Sequence, residues 1–399
     1  MTIQGRHAFR VNLPWSAGLL FAALLAITAF RYQADLLFPS YRSDEAIHAT
    51  AIDLARQGRS PYDHPTYLGT PFFATACGAV ARHAGLRPTI ILLRVLNLLA
   101  VAGIAWIASG SAALRLGWRL SLAIFLAASA PPFLDAIGPG NLSPLAHVLT
   151  LIGILHWRDR PIRGGMVLGL GLAIKPYALL LVPIFFCARL SRPTPSRYIF
   201  PATATAVFGA SLLAFPSATL RMLEQHEGFA VSLRSLSIQR VLVNLVGWGP
   251  SALTVLLAVG ACAILISRRH PRSDGELVIF ALFACALGTT RIWVHVLAPL
   301  LPNFVEGFAG RLRVLATSWK ENHHRRNEAG LAVLKLAVPT VFLFTSDTWA
   351  ALELPFPGLP SWAAGLGVLL PLACLILLPR LLLPEPSPRE KLEGGSWNC

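Results

Sequence analysis

Gly164-Gly165-Met166-Val167-Leu168-Gly169-Leu170-Gly171-Leu172-Ala173-Ile174-Lys175-Pro176 is the stretch whose reading decides the fold of this chain. Residues 164–174 form one apolar run and residues 176–189 another. At about 1.5 Å of rise per residue each is too short to cross a bilayer alone. Proline disfavours helix at the residue before it, so Lys175-Pro176 is a break. The flanks decide how the pieces join. Arg158, Arg160 and Arg163 precede them, and Arg189, Arg192 and Arg197 follow. Basic residues gather on the cytoplasmic side of membrane segments, so both ends belong on one face. The expected element is a half-helix hairpin with Lys175 at its tip.

Outward from the hairpin, apolar runs recur along the chain. It is 55% hydrophobic and only 13% charged, with a mean hydropathy of +0.60, too apolar for a soluble protein of this length. Segments are expected near 14–36, 89–109, 119–135, 141–157, 164–174, 176–189, 199–216, 247–267, 275–290, 294–309, 329–346 and 361–383. The predicted fold is therefore all-α: one polytopic integral membrane domain over residues 1–399, with about twelve segments. The run from Pro14 to Phe30, behind Arg6 and Arg10, reads as a retained signal anchor. Both termini are expected in the cytoplasm of a multi-pass protein of the cell membrane.

The net charge of +15 invites a nucleic-acid reading, but its distribution opposes it. The basic residues alternate between loops in the positive-inside pattern and form no continuous stripe, so they face membrane lipids and no nucleic acid. Six scattered cysteines indicate neither a disulfide framework nor a metal site. There is no phosphate-binding glycine loop and no His/Cys cluster with ligand spacing, so neither metal nor cofactor is expected.

The long external loops are expected at 31–88 and 217–246, and long loops tend to carry function. The first contains Asp44 and Glu45 at the head of an amphipathic stretch, Asp44 to Gln57, with Ile47, Ala51 and Leu54 on one face. That pattern predicts a helix along the membrane interface. His48 lies one turn after Asp44 and shares its face.

Several of these elements resemble a known family. Asp44, then Gly58 and Pro61-Tyr62-Asp63, resembles the first external loop of C-type glycosyltransferases. Gly138-Pro139-Gly140-Asn141 resembles the Gly-Gln-x-Asn element of glycosyltransferase family 87, with Pro139 where that family favours glutamine. The glycine-rich run ending in Lys175-Pro176 is similar to its Lys-Pro segment, and Trp293-Val294-His295 to its Trp-x-His element. Leu233 to Arg240 resembles its loop ending in arginine. The resemblance covers roughly residues 10–305, and the C-terminal spans over 329–383 carry no further motif.

The resemblance implies a hexosyltransferase, mannose being the favoured sugar, and a monomer is expected. It would move the sugar with inversion from a polyprenyl-phosphate donor to a lipid or glycan hydroxyl on the outer face. The residues supply the chemistry. An acceptor hydroxyl is a poor nucleophile until a base removes its proton, and Asp44 is the candidate base. The departing lipid phosphate gains negative charge, which fixed cations stabilise. Lys175 is the leading candidate for that role, with Arg240 and Arg291 secondary. Glu45, His48, Tyr62, Trp293 and His295 are candidates for sugar or acceptor contact. Asn141 either bonds sugar hydroxyls or caps the helix that follows it. Two other readings stay open: a transporter or flippase for lipid-linked saccharide, which would carry matching broken helices in its two halves, and an O-antigen ligase or polymerase-like enzyme with a large late external loop.

Overall fold

The computed structural model describes residues 43–114, 116–130, 132–133, 136, 140–188, 194–228, 242, 251–269, 273–288, 294–318 and 323–344, with isolated positions at 373, 376 and 381–382. Among them the chain is all helix and turn. The helices are α1 (Ser43–Arg56), α2 (Pro71–Ala84), α3 (Leu86–Ser111), α4 (Leu116–Ser129), α5 (Ser143–His156), α6 (Pro161–Ile174), α7 (Leu181–Cys187), α8 (Ser196–Leu213), α9 (Pro216–Gly228), α10 (Ala252–Arg269), α11 (Asp274–Gly288), α12 (Leu301–Ser318) and α13 (His323–Phe344). Short 3₁₀ turns occupy Pro61–Asp63, Pro176–Ala178 and Val294–Leu300.

Helix α3 is long and apolar enough to cross a membrane. Its exposed Ile91, Leu92, Val95, Leu96 and Leu99 make an apolar strip suited to lipid. Up to three spans result if each bent pair, α6 with 176–187 and α8 with 216–225, counts as one. Leu116–Ala128, Ser143–His156 and Leu253–Arg268 are apolar but shorter. The expected first and last spans, 14–36 and 361–383, lie outside the described residues apart from isolated positions.

The break at Lys175 falls where the sequence puts it, and the chain turns there by 119°. Two helices were not anticipated, α2 and α9. Both begin at a proline, which is pre-set for the first helical turn and gives up only an N–H that has no partner there anyway. They turn what read as open external loops into packed structure. Met222 of α9 enters a cluster with Ala51, Tyr62, Tyr67 and Ala74 of the first loop. Arg221 Nη1 sits 2.9 Å from Asp63 Oδ1, and Gln225 donates to the His64 carbonyl at 3.0 Å.

The glycines of α6 explain its place at the centre. A side chain on Gly164 or Gly171 would meet the α5 backbone, at the Gly153 carbonyl (2.8 Å) or the Ala146 carbonyl (3.1 Å). One on Gly165 or Gly169 would strike α8, at the Phe200 carbonyl (2.4 Å) or Val207 (2.6 Å). The helix is therefore thin on two sides and packs backbone to backbone with both neighbours, as small residues allow in membranes. Around it Leu168, Leu172, Leu181, Phe185, Phe200 and Phe283 form the main apolar core.

This contact makes a prediction. Ala in place of Gly gains up to about 1 kcal/mol of helix propensity, whereas overpacking costs about 1–3 kcal/mol. Gly165→Ala, facing a carbonyl, is expected to lower the thermal unfolding midpoint in detergent. Gly209→Ala, with nothing within 4 Å, is expected to leave it unchanged or raise it. Equal midpoints for the two variants would contradict the close packing.

Candidate active site

Four parts of the chain meet beside Lys175: the first turn of α1, the buried face of α3, the turn 140–143 and the end of α6. Asp44 and Glu45 stand in the first turn of α1, where the helix dipole favours carboxylates. Asn141 Nδ2 donates to Asp44 Oδ2 at 2.8 Å. Lys175 Nζ donates to Asn141 Oδ1 at 2.7 Å and to Ser143 Oγ at 3.1 Å. The Ser143 backbone N–H reaches the same Asn141 oxygen at 2.9 Å, and the Ser143 hydroxyl joins it as well. One amide thus turns its NH₂ to a carboxylate and its oxygen to an ammonium, the only orientation in which both contacts attract.

The backbone secures that amide. Gly140 adopts φ +76°, a left-handed conformation that glycine takes without strain. A Cβ there would stand 2.7 Å from Glu45 Cβ, so the turn lies directly against α1. Asn97 Nδ2, from α3, donates to the Asn141 carbonyl at 3.0 Å. Lys175 follows the last turn of α6, its N–H bonded to the Gly171 carbonyl at 3.0 Å. The Thr70 hydroxyl, which caps α2, also donates to the Ala173 carbonyl and ties α2 to that end of α6. Beyond the break, the Lys175 ammonium lies 5.5 Å from the Tyr177 ring, which stacks on His147 at 5.4 Å.

The remaining expected residues have varied settings. Glu45 is 6% exposed and is held by Arg94, whose Nη2 donates to Oε2 at 2.7 Å and whose Nε donates to Oε1. A direct sugar contact would have to displace that pair. His48 is buried, edge-on to Tyr67 and Phe73. Its Nδ1 has no hydrogen-bond partner among the described residues. Glu45, His48, Arg94, Asn97 and Gly140 line a small cavity of about 20 Å³, the room of roughly one water. Tyr62 lies in the interior of the first loop, its hydroxyl donating to the Gly69 carbonyl at 2.6 Å, and not at an open surface. Arg240, Arg291 and Trp293 lie outside the described residues. Of His295 the structure describes only the backbone, in the 3₁₀ turn Val294–Leu300 that packs against α5 and α11.

Four neighbours of Lys175 or Glu45 escaped the sequence reading: Arg94, Asn97, Ser143 and Tyr177. Arg94 carried a usable signal, since a charge inside a long apolar run calls for a partner. The others are ordinary polar residues whose meaning comes from position.

Glycosyltransferase family 87 matches residues 67–297, more than half of the chain, and this membrane protein belongs to that family of glycosyltransferases. Asn141 and Lys175 fall within the match, whereas Asp44, Glu45, His48 and Tyr62 precede it. No curated protein and no solved structure matches the chain.

His48 supplies a pH prediction. Burial first, and then the charge of Lys175, lower its pKa from 6.5 to about 3. Between those values the unfolded chain holds a proton that the native protein does not, so stability is full above 6.5 and falls as the pH drops toward 3. The expected loss approaches about 1.4 kcal/mol per pH unit once well below the unfolded pKa. In thermal unfolding followed from neutral to acid pH, His48→Gln should show a shallower decline than the wild-type protein. Parallel curves would refute the assignment.

Proposed function

We propose that the chain transfers a hexose, mannose for preference, from a polyprenyl-phosphate sugar to a hydroxyl of a lipid or glycan acceptor at the outer face of the cell membrane. Asp44 takes the acceptor proton. The acceptor oxygen attacks the anomeric carbon from the side opposite the phosphate and forms the new glycosidic bond. The bond from carbon to phosphate oxygen breaks, and its electron pair leaves with the polyprenyl phosphate, so the configuration inverts. Lys175 faces that phosphate, with Arg240 and Arg291 as further cations and Trp293 and His295 on the sugar. In this reading the chain acts as a monomer, crosses the membrane about twelve times and keeps both termini in the cytoplasm.

What supports the reading most directly is the amide of Asn141, hydrogen-bonded to Asp44 on one side and Lys175 on the other. A base and a cation are needed on opposite sides of one reacting carbon, and here a single side chain sets their spacing. Among the described residues the Asn141 contact uses Oδ2 of Asp44, which leaves Oδ1 for the acceptor. An ammonium has three N–H donors; among the described residues Asn141 and Ser143 take two, which leaves one for a phosphate oxygen. Family membership supplies the reaction class.

The test is transfer from polyprenyl-phosphate mannose in membranes containing the full chain. Asp44→Asn keeps the size and the Asn141 contact but removes the base, and should lose about 10²–10⁴-fold in rate. Lys175→Gln should lose about 10²–10³-fold through the leaving group. Undiminished transfer by Asp44→Asn would sink the mechanism.

A further inference from the structure

We propose that Arg94 is a positioning residue for this reaction: through Glu45 it holds the first turn of α1 so that Asp44 stays against Asn141. The inference rests on the reading of Asp44 as the base. Arg94 stands inside α3, the helix long and apolar enough to cross the membrane, and its side chain is 16% exposed. An arginine within an apolar membrane segment is costly and is kept where it meets a partner. Among the described residues it meets Glu45, the residue next to Asp44 in the same helical turn. The contact is two-pronged, Nη2 to Oε2 at 2.7 Å and Nε to Oε1. A planar fork fixes orientation as well as distance, so it sets both the rotation and the height of that turn.

The same helix grips the other half of the site. One turn beyond Arg94, Asn97 bonds the backbone carbonyl of Asn141 at 3.0 Å. Residues three apart on a helix are neighbours on one face. That face of α3 therefore carries two clamps, one on the helix bearing Asp44 and one on the turn bearing the bridging amide. Gly140 is pressed between them, with no room for a Cβ beside Glu45. A displacement of about 1 Å between base and substrate can cost about 10²-fold in rate.

The experiment uses the full chain and two readouts: steady-state transfer from polyprenyl-phosphate mannose, and hydrogen exchange of the backbone in detergent. Arg94→Met is expected to lower kcat about 10²-fold with the donor KM little changed, because Lys175 is untouched. Exchange should quicken in the first turns of α1 while α6 and α8 keep their protection. Arg94→Lys, which retains the charge without the fork, should recover only part of the rate. Glu45→Gln should resemble Arg94→Met, and the double variant should be no worse than either single, the signature of residues acting as one unit. Wild-type kcat with an unchanged α1 would overturn the proposal. So would multiplicative losses in the double variant, or protection lost across the whole bundle. Asp44→Asn separates the two readings. If it is inactive while Arg94→Met is normal, positioning alone falls; if it is fully active, the base falls and the positioning role with it.

Discussion

An ammonium group among apolar helices has to be met by oxygen, and in this chain the oxygen is the side-chain amide of Asn141. Much of the local architecture follows from that requirement. The proline after Lys175 ends α6, so the lysine leaves the helix at its tip instead of facing a neighbouring helix. Thr70 takes up the Ala173 carbonyl, one of those left without an intrahelical partner where the helix stops. Gly140 supplies the tight turn that delivers Asn141. The far side of the amide, its NH₂, needs an acceptor, and Asp44 is that acceptor.

Family membership and geometry bear on different residues. The family match begins at residue 67, so it vouches for the segments holding Asn141 and Lys175 and not for Asp44. The case for Asp44 is spatial: α1 lies outside the match, yet Asp44 accepts a hydrogen bond from the Asn141 amide, whose oxygen accepts one from Lys175. Glu45, its neighbour in sequence, is engaged quite differently, turned toward Arg94. Adjacent carboxylates on a helix point about 100° apart, and here that angle separates the residue facing the amide from the one facing the arginine.

The helical class and the positions of most helices were legible because apolar runs and prolines mark them locally. The break at Lys175 was legible for the same reason. Asp44 and Lys175 were each legible as candidates, and the structure brings both to the one amide of Asn141. What was not legible depends on contacts between distant segments. Nothing in Pro71–Ala84 or Pro216–Gly228 distinguishes a packed helix from a loop until Met222 is seen against Tyr67. The glycines of α6 gave no local sign that they serve two neighbours on two faces. Tyr62 read as a candidate for sugar or acceptor contact and lies inside the first loop, where its hydroxyl finds the Gly69 carbonyl. Arg94 was passed over inside its apolar run, although its charge demanded a counter-ion.

The Arg94–Glu45 pair also bears on how the protein is made. Glu45 precedes Arg94 by 49 residues, and Asn141 precedes Lys175 by 34. In both cases the answering group has left the ribosome before the charge that needs it. Neither cation has to wait in lipid for downstream sequence, and the polar centre can assemble in step with synthesis, from the N-terminal side onward.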